Sequence, residues 1–173
     1  QNSDKFTEML KFLGIILFVV NGVSVSFALS EAPQSVTLDG VLYKKNTTTP
    51  ITDSSVALKI QIINPSGTCV LYEETQTVNT SSTKGYFSVQ VGSATGSAKR
   101  TVNDPGRTMA QIFQNTVDIT GSDVTSGSCV GNSYIPTAGD VRYFRVNVTP
   151  SVTGVSDTLT PDIVMDSSPQ AIV

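Results

Sequence analysis

Val56-Ala-Leu-Lys-Ile-Gln-Ile-Ile-Asn-Pro-Ser-Gly-Thr-Cys-Val-Leu-Tyr-Glu-Glu74 is the stretch that decides the fold. Val56, Leu58, Ile60 and Ile62 alternate with Ala57, Lys59 and Gln61, the period of a strand with one buried face. Asn64-Pro65-Ser66-Gly67 stops that strand with turn-forming residues, and Cys69 to Glu74 resumes an apolar, β-favouring run. The two runs read as a hairpin closed by a type I or type II turn.

Working outward, the same pattern recurs at the spacing of an antiparallel sandwich or barrel. Tyr86-Phe-Ser-Val-Gln-Val91 places Phe87, Val89 and Val91 on one face between Gly85 and Gly92, and that face must meet another sheet. Ser35 to Tyr43 reads as a strand broken by a bend or tight turn at Asp39-Gly40. Val141 to Val148 is the last strong strand. Arg142 and Arg145 fall on its opposite faces, so one of the two must be partly buried. A short helix is expected from about Asp104 to Asn115. Asp104 would cap it, Pro105 suits its first turn, and Met109, Ile112 and Phe113 form its buried stripe. Thr120 to Ser128, rich in Gly, Ser and Thr, reads as a surface loop leading to Cys129 and Tyr134, and the segment from Gly92 to Gly96 as a flexible loop. The expected fold is therefore all-β: an antiparallel β-sandwich, immunoglobulin-like or prealbumin-like, with one short helix.

The chain of 173 residues is long enough for one domain with a real core. Charged residues make up 14%, against roughly 25% in a typical soluble domain, and Thr, Ser and Val are abundant. The net charge of −3 comes with scattered Lys and Arg, which leaves nucleic acid without an electrostatic footprint.

Ahead of the sandwich, Met9 and Lys11 precede the apolar run Phe12 to Val20, and Ala28-Leu29-Ser30 offers the small residues of a cleavage site. Residues 1–30 read as a signal-peptide helix, with 1–8 as read-through upstream of the start. An uncleaved anchor over Leu10 to Leu29 is the competing reading. Cleavage is preferred because the strongly apolar core is short. A type IV pilin start, suggested by Phe6 to Leu10, fails because Lys5 stands where that family has Gly and Glu8 is out of place. Membrane contact is thus expected only during export. The sandwich is assigned to 31–157. Residues 158–173 end on an apolar group and read as a connector to something further along the chain.

Cys69 and Cys129 are the only cysteines, and in an exported chain they read as one disulfide closing a loop of about 60 residues, a stabilisation of roughly 4 kcal/mol. Two buried free thiols are the alternative. Lacking any histidine, the chain cannot build a Ser-His-Asp or Cys-His system, nor a histidine-ligated metal. Glu73-Glu74, the only adjacent acidic pair, points to opposite faces of its strand, so the two cannot share a proton. One is expected to be solvated and the other to lie near a basic group. No residue is nominated as catalytic, cofactor-binding or metal-ligating. Asn46, Asn79 and Asn147 sit in Asn-x-Ser/Thr triplets, which a Thr- and Ser-rich chain produces by chance. Of the five tyrosines Tyr43, Tyr72, Tyr86, Tyr134 and Tyr143, Tyr134 and Tyr143 are the candidate ligand-facing aromatics.

Several segments together carry a resemblance: Ala32 to Val36 with Leu38-Asp39-Gly40-Val41-Leu42; Ile62-Ile63-Asn64-Pro65 with Cys69 to Glu74; Gly85 to Gly92; and Ile112-Phe113. Cys129-Val130-Gly131, Gly139 to Val146 and Leu159-Thr160-Pro161-Asp162 complete it. The sequence resembles a module found near the N-terminus of bacterial secreted, tail-fibre-like surface proteins of the mosaic adhesive trimer type. In that family the closing stretch reads Ser-Val-Pro-Tyr-Ala; here Pro169 and Ala171 match, and Gln170 replaces the tyrosine. The resemblance implies a non-enzymatic structural or adhesive module, a homotrimer formed through a downstream stalk, and a location at the cell surface, in the periplasm or outside the cell. A surface glycan or a protein receptor would be its partner. The rival reading is a monomeric secreted or periplasmic glycan-binding module.

Overall fold

The computed structural model describes residues 34–92, 99–116, 118–119, 129 and 133–165. The signal-peptide and anchor readings, both Ser-rich loops and the final eight residues lie outside these.

β2 (Val56–Ile63) is the centre of the molecule. It pairs antiparallel with β3 (Val70–Val78) on one edge and with β5 (Arg142–Pro150) on the other, along its whole length. Val56, Leu58, Ile60 and Ile62 are each 0% exposed. Full burial of such a side chain contributes roughly 1.5–3 kcal/mol relative to leaving it in water. β6 (Asp157–Thr158) and β7 (Ile163–Met165) pair with the far edge of β5 and complete a five-stranded sheet. β1 (Val36–Val41) and β4 (Tyr86–Val91) form a separate two-stranded antiparallel sheet. Leu38, Phe87, Val89 and Val91 from that ribbon share one apolar core with Leu58, Ile60, Ile62, Phe144, Val146 and Val148. The sandwich architecture is as expected, with the second sheet reduced to two strands.

Three local expectations are corrected and a fourth is narrowed. Asp39-Gly40 is no turn: β1 runs straight through it, Asp39 opposite Ser88 and Gly40 opposite Phe87. The ring of Phe87 lies over the missing Gly40 side chain, 3.4 Å from where a Cβ would stand, which supplies the contact the glycine lacks. Between β2 and β3 the Gly67 amide bonds the Asn64 carbonyl at 3.0 Å, and Gly67 has φ +70. Ser66 keeps a negative φ, which excludes type II and leaves the type I alternative.

The helix α1 is shorter than its sequence pattern, spanning Met109–Phe113. Thr108 caps it in a capping box with Gln111. Asp104 is engaged elsewhere, accepting from the Glu73 amide at 2.8 Å and from Arg100 at 2.6 Å, and Gly106 at φ +81 breaks the helical path. Met109 and Ile112 are buried as the stripe requires. β7 also carries the sheet as far as Met165, through the first half of the segment assigned to a connector.

Gly85 closes the loop before β4. Its carbonyl accepts from the Leu42 amide at 2.9 Å, its φ is +86, and a Cβ there would stand 2.7 Å from the Leu42 carbonyl oxygen. Both the backbone conformation and the space exclude a side chain. Gly85→Ala is expected to cost about 3 kcal/mol in urea unfolding, the sum of a forbidden φ and a backbone clash.

Candidate functional site

Two irregular segments at one end of the five-stranded sheet enclose a cleft of about 480 Å³. The first is the excursion between β1 and β2. Leu42 and Ile51 are held together by the Ile51 amide on the Leu42 carbonyl at 2.8 Å, and Tyr43 bridges Pro50. Within that excursion the Lys44 amide bonds the Thr49 carbonyl at 2.8 Å, and Asn46 takes a left-handed φ of 58 at the tip. Asn tolerates that conformation, which lets so short a loop reverse.

The second segment is the turn from Pro150 to Ser156. The Gly154 amide bonds the Pro150 carbonyl at 2.9 Å, and Gly154 has φ +62. Asp53 fastens this turn to the first segment. Its buried carboxylate accepts from the Ser55 amide at 3.0 Å, the Ser151 hydroxyl at 2.7 Å and the Val152 amide at 3.1 Å. Those donors, the Ser55 amide foremost, hold the Asp53 carboxyl below the ordinary carboxylate range. Thr80 locks the same corner, its hydroxyl donating to the Ile51 carbonyl at 2.7 Å.

The floor of the cleft is apolar. Leu42 and Val148 are buried core residues, and Ile51 and Leu159 pack beside them. Val152 and Val155 stand up as one wall, 79% and 68% exposed, with Tyr43 across from them. Lys44, Lys45 and Asp157 form the polar rim, where Lys45 pairs with Asp157 at 3.0 Å. A volume of this size, walled by aliphatic side chains with a few polar groups at its edge, has the form of a ligand site.

The residues singled out in the sequence lie elsewhere. Cys69 and Cys129 form the expected disulfide and also face each other as an antiparallel bridge. Tyr134 is 8% exposed and turned inward, so its ring does not face solvent. Its hydroxyl donates to Asp140 at 2.7 Å and accepts from Arg142 at 3.0 Å. Burial first, and the bond to Asp140 second, push the Tyr134 hydroxyl up to about 12. Tyr143 is half-buried within β5, between Ile63 and Val164. Neither tyrosine lines the cleft.

Arg142 is the buried arginine of β5, 1% exposed, and it ties the helix to the sheet. It donates to the Ile112 carbonyl at 2.7 Å and to Asn115 at 2.7 Å, and its guanidinium lies over the Tyr134 ring at 5.2 Å. Burial lowers its affinity for the proton. Arg145, on the outer face, pairs with Asp162 at 2.9 Å.

Glu73 and Glu74 do point to opposite faces, but the expected solvated partner is not found: they are 3% and 0% exposed. Glu74 sits on the core face and accepts from the Tyr72 hydroxyl, from Gln76 and from the Gly92 amide. Glu73 accepts from Gln61 at 2.5 Å and Thr101 at 2.5 Å. Residues 99–101 add to the open edge of β3, the Thr75 amide bonding the Lys99 carbonyl at 2.9 Å and the Thr101 hydroxyl reaching the Glu73 carboxylate. Such edge pairing leaves no trace in local sequence.

The cleft was missed in the sequence as well. Two valines within Ser151-Val-Thr-Gly-Val-Ser156, an otherwise polar turn, were its available signal. No protein-family model matches the chain, and neither a curated protein nor a solved structure is detectably similar to it.

Asp140 supplies a pH test of the Tyr134 corner. The Thr137 amide, then the Tyr134 and Thr137 hydroxyls, hold its carboxyl down at about 2. Its ordinary value is 3.8, so its contribution is complete above that pH and is lost as pH falls toward 2. Thermal midpoints should therefore drop between about pH 4 and pH 2. Asp140→Asn should flatten that drop in part, with Asp53 accounting for some of the remainder.

Proposed function

We propose that this chain is a non-enzymatic structural and adhesive module of a secreted bacterial cell-surface fibre protein, trimeric through a segment beyond the sandwich, and that it meets its partner at the cleft. The observation that carries the reading is the Cys69–Cys129 disulfide, which joins residues 60 apart and sets Cys129 beside the start of β3. Such a bond persists in oxidising compartments and is rare in the cytosol. The cleft favours recognition over catalysis. Among the described residues its wall carries one carboxylate, Asp157, and Lys45 pairs with it.

The rival reading, a monomeric glycan-binding module, asks for aromatic stacking surfaces and convergent hydrogen-bonding groups. Of the tyrosines only Tyr43 lines the cleft, and the remaining wall is largely aliphatic. An apolar partner suits that surface better than a sugar.

Thiol trapping in intact source cells, followed by fractionation, tests export. The protein should be recovered outside the cytoplasm with Cys69 and Cys129 inaccessible to alkylation until reduced. Recovery from the cytosol with both thiols free would overturn the proposal. Light scattering on the full natural protein should give three times the chain mass, and a monomer would remove the fibre reading in favour of its rival.

A further inference from the structure

Val152 and Val155 are the most telling side chains on the surface. A turn exposed to water has no structural need for two large aliphatic groups, and here both stand on one side of a cleft floored by Leu42 and Val148. Together with the floor they give the cleft the largely apolar lining of a small-molecule site. The rim is cationic. Lys44 and Lys45 lie on it, Asp157 is committed to Lys45 at 3.0 Å, and among the described residues the Lys44 ammonium has no hydrogen-bond or ion-pair partner. Net positive charge is left beside an apolar trough.

We propose that the cleft binds a free, single-chain aliphatic carboxylate, its chain lying along Leu42, Val148 and Val155 and its carboxylate against Lys44. The inference rests on reading the cleft as a binding site and adds the chemistry of what fills it. A volume of about 480 Å³ falls within the range of about 300–1,000 Å³ typical of small-molecule sites. A partner peptide is a poorer fit. Peptides dock on sheets by adding a strand to an open edge, and the edge of β5 at the floor of the cleft is already taken, Val148 by Asp157 and Asn147 by Thr158. An alkyl chain needs no backbone partner. It asks only for aliphatic walls and one cation at the mouth, and both are present. Lys44 is held for this purpose by its own backbone, whose amide bonds Thr49 and whose carbonyl accepts from the Thr47 amide at 3.0 Å.

Isothermal titration of the whole chain with dodecanoate, below its micelle concentration, is the direct test, run beside dodecyltrimethylammonium, which has the same chain and the opposite charge. Dodecanoate should bind saturably, one to one. It should bind about ten-fold tighter than the ammonium, the size of one ion pair gained and one like-charge contact avoided. Lys44→Gln should abolish that preference and Lys44→Arg should keep it. Val155→Asp, on an exposed turn and checked for an unchanged circular dichroism spectrum, should weaken both ligands. Equal binding of the two, still weakened by Val155→Asp, would overturn the carboxylate inference and leave the cleft a binding site. Saturable binding of neither would overturn the reading of the cleft itself. Sedimentation with phosphatidylglycerol vesicles, in the absence of dodecanoate binding, would overturn the inference in favour of surface attraction to anionic lipid.

Discussion

β2 is hydrogen-bonded to a neighbour along both edges while its inner face is wholly withdrawn from water, and every other element takes its place from that arrangement. Its outer edge partners fix the registers of β3 and β5, and β5 in turn fixes β6 and β7. The β1–β4 ribbon has no strand pairing with this sheet and is placed by side-chain packing on the β2 face. A one-residue slip of β2 would turn Leu58, Ile60 and Ile62 to the polar side and bring Lys59 and Gln61 into the core, so the register is strongly specified.

Buried ionisable side chains sit where irregular chain meets this framework. Glu74 joins β3 to the end of β4 through Gly92, Arg142 joins β5 to α1, and Asp53 joins the 51–55 segment to the 150–152 turn. Each carries several hydrogen bonds, as a buried charge must if it is not to cost several kcal/mol. Regular strands satisfy their own backbones, whereas the segments outside them leave amides and carbonyls that only such side chains reach. The cleft depends on one of these joints. Without Asp53 the Ser151 hydroxyl and the Val152 amide would lose their side-chain tie to the 51–55 segment, leaving the Ser151 amide on the Ser55 carbonyl.

The strands were legible because their signal is local. Alternation at Val56 to Ile62 and Phe87 to Val91, and opposite-facing Arg142 and Arg145, each followed from period two alone. The Cys69–Cys129 pairing was legible because the chain holds no other cysteine. What escaped was set by contacts distant in sequence. Asp104 has the chemistry of a helix cap, yet β3 and Arg100 claim its oxygens. Asp39-Gly40 has the composition of a turn, yet the pairing of β1 with β4 continues through it. Tyr134 looks like a surface aromatic beside a loop, yet Arg142 and Asp140 draw it inward. The cleft joins residues near 42–51 to residues near 148–159, and nothing short-range announces that meeting.

The proposed reading, a part that recognises or holds, asks for a stable β-framework beneath the apolar trough and its two cross-tied turns. That view needs β2 to be the last element to open. Native-state amide hydrogen exchange, read by NMR, tests it most directly. The Leu58, Ile60 and Ile62 amides should exchange only through global unfolding, with β1 and β4 amides opening at lower free energy. Slowest exchange in the β1–β4 ribbon, with β2 opening locally before it, would contradict the account.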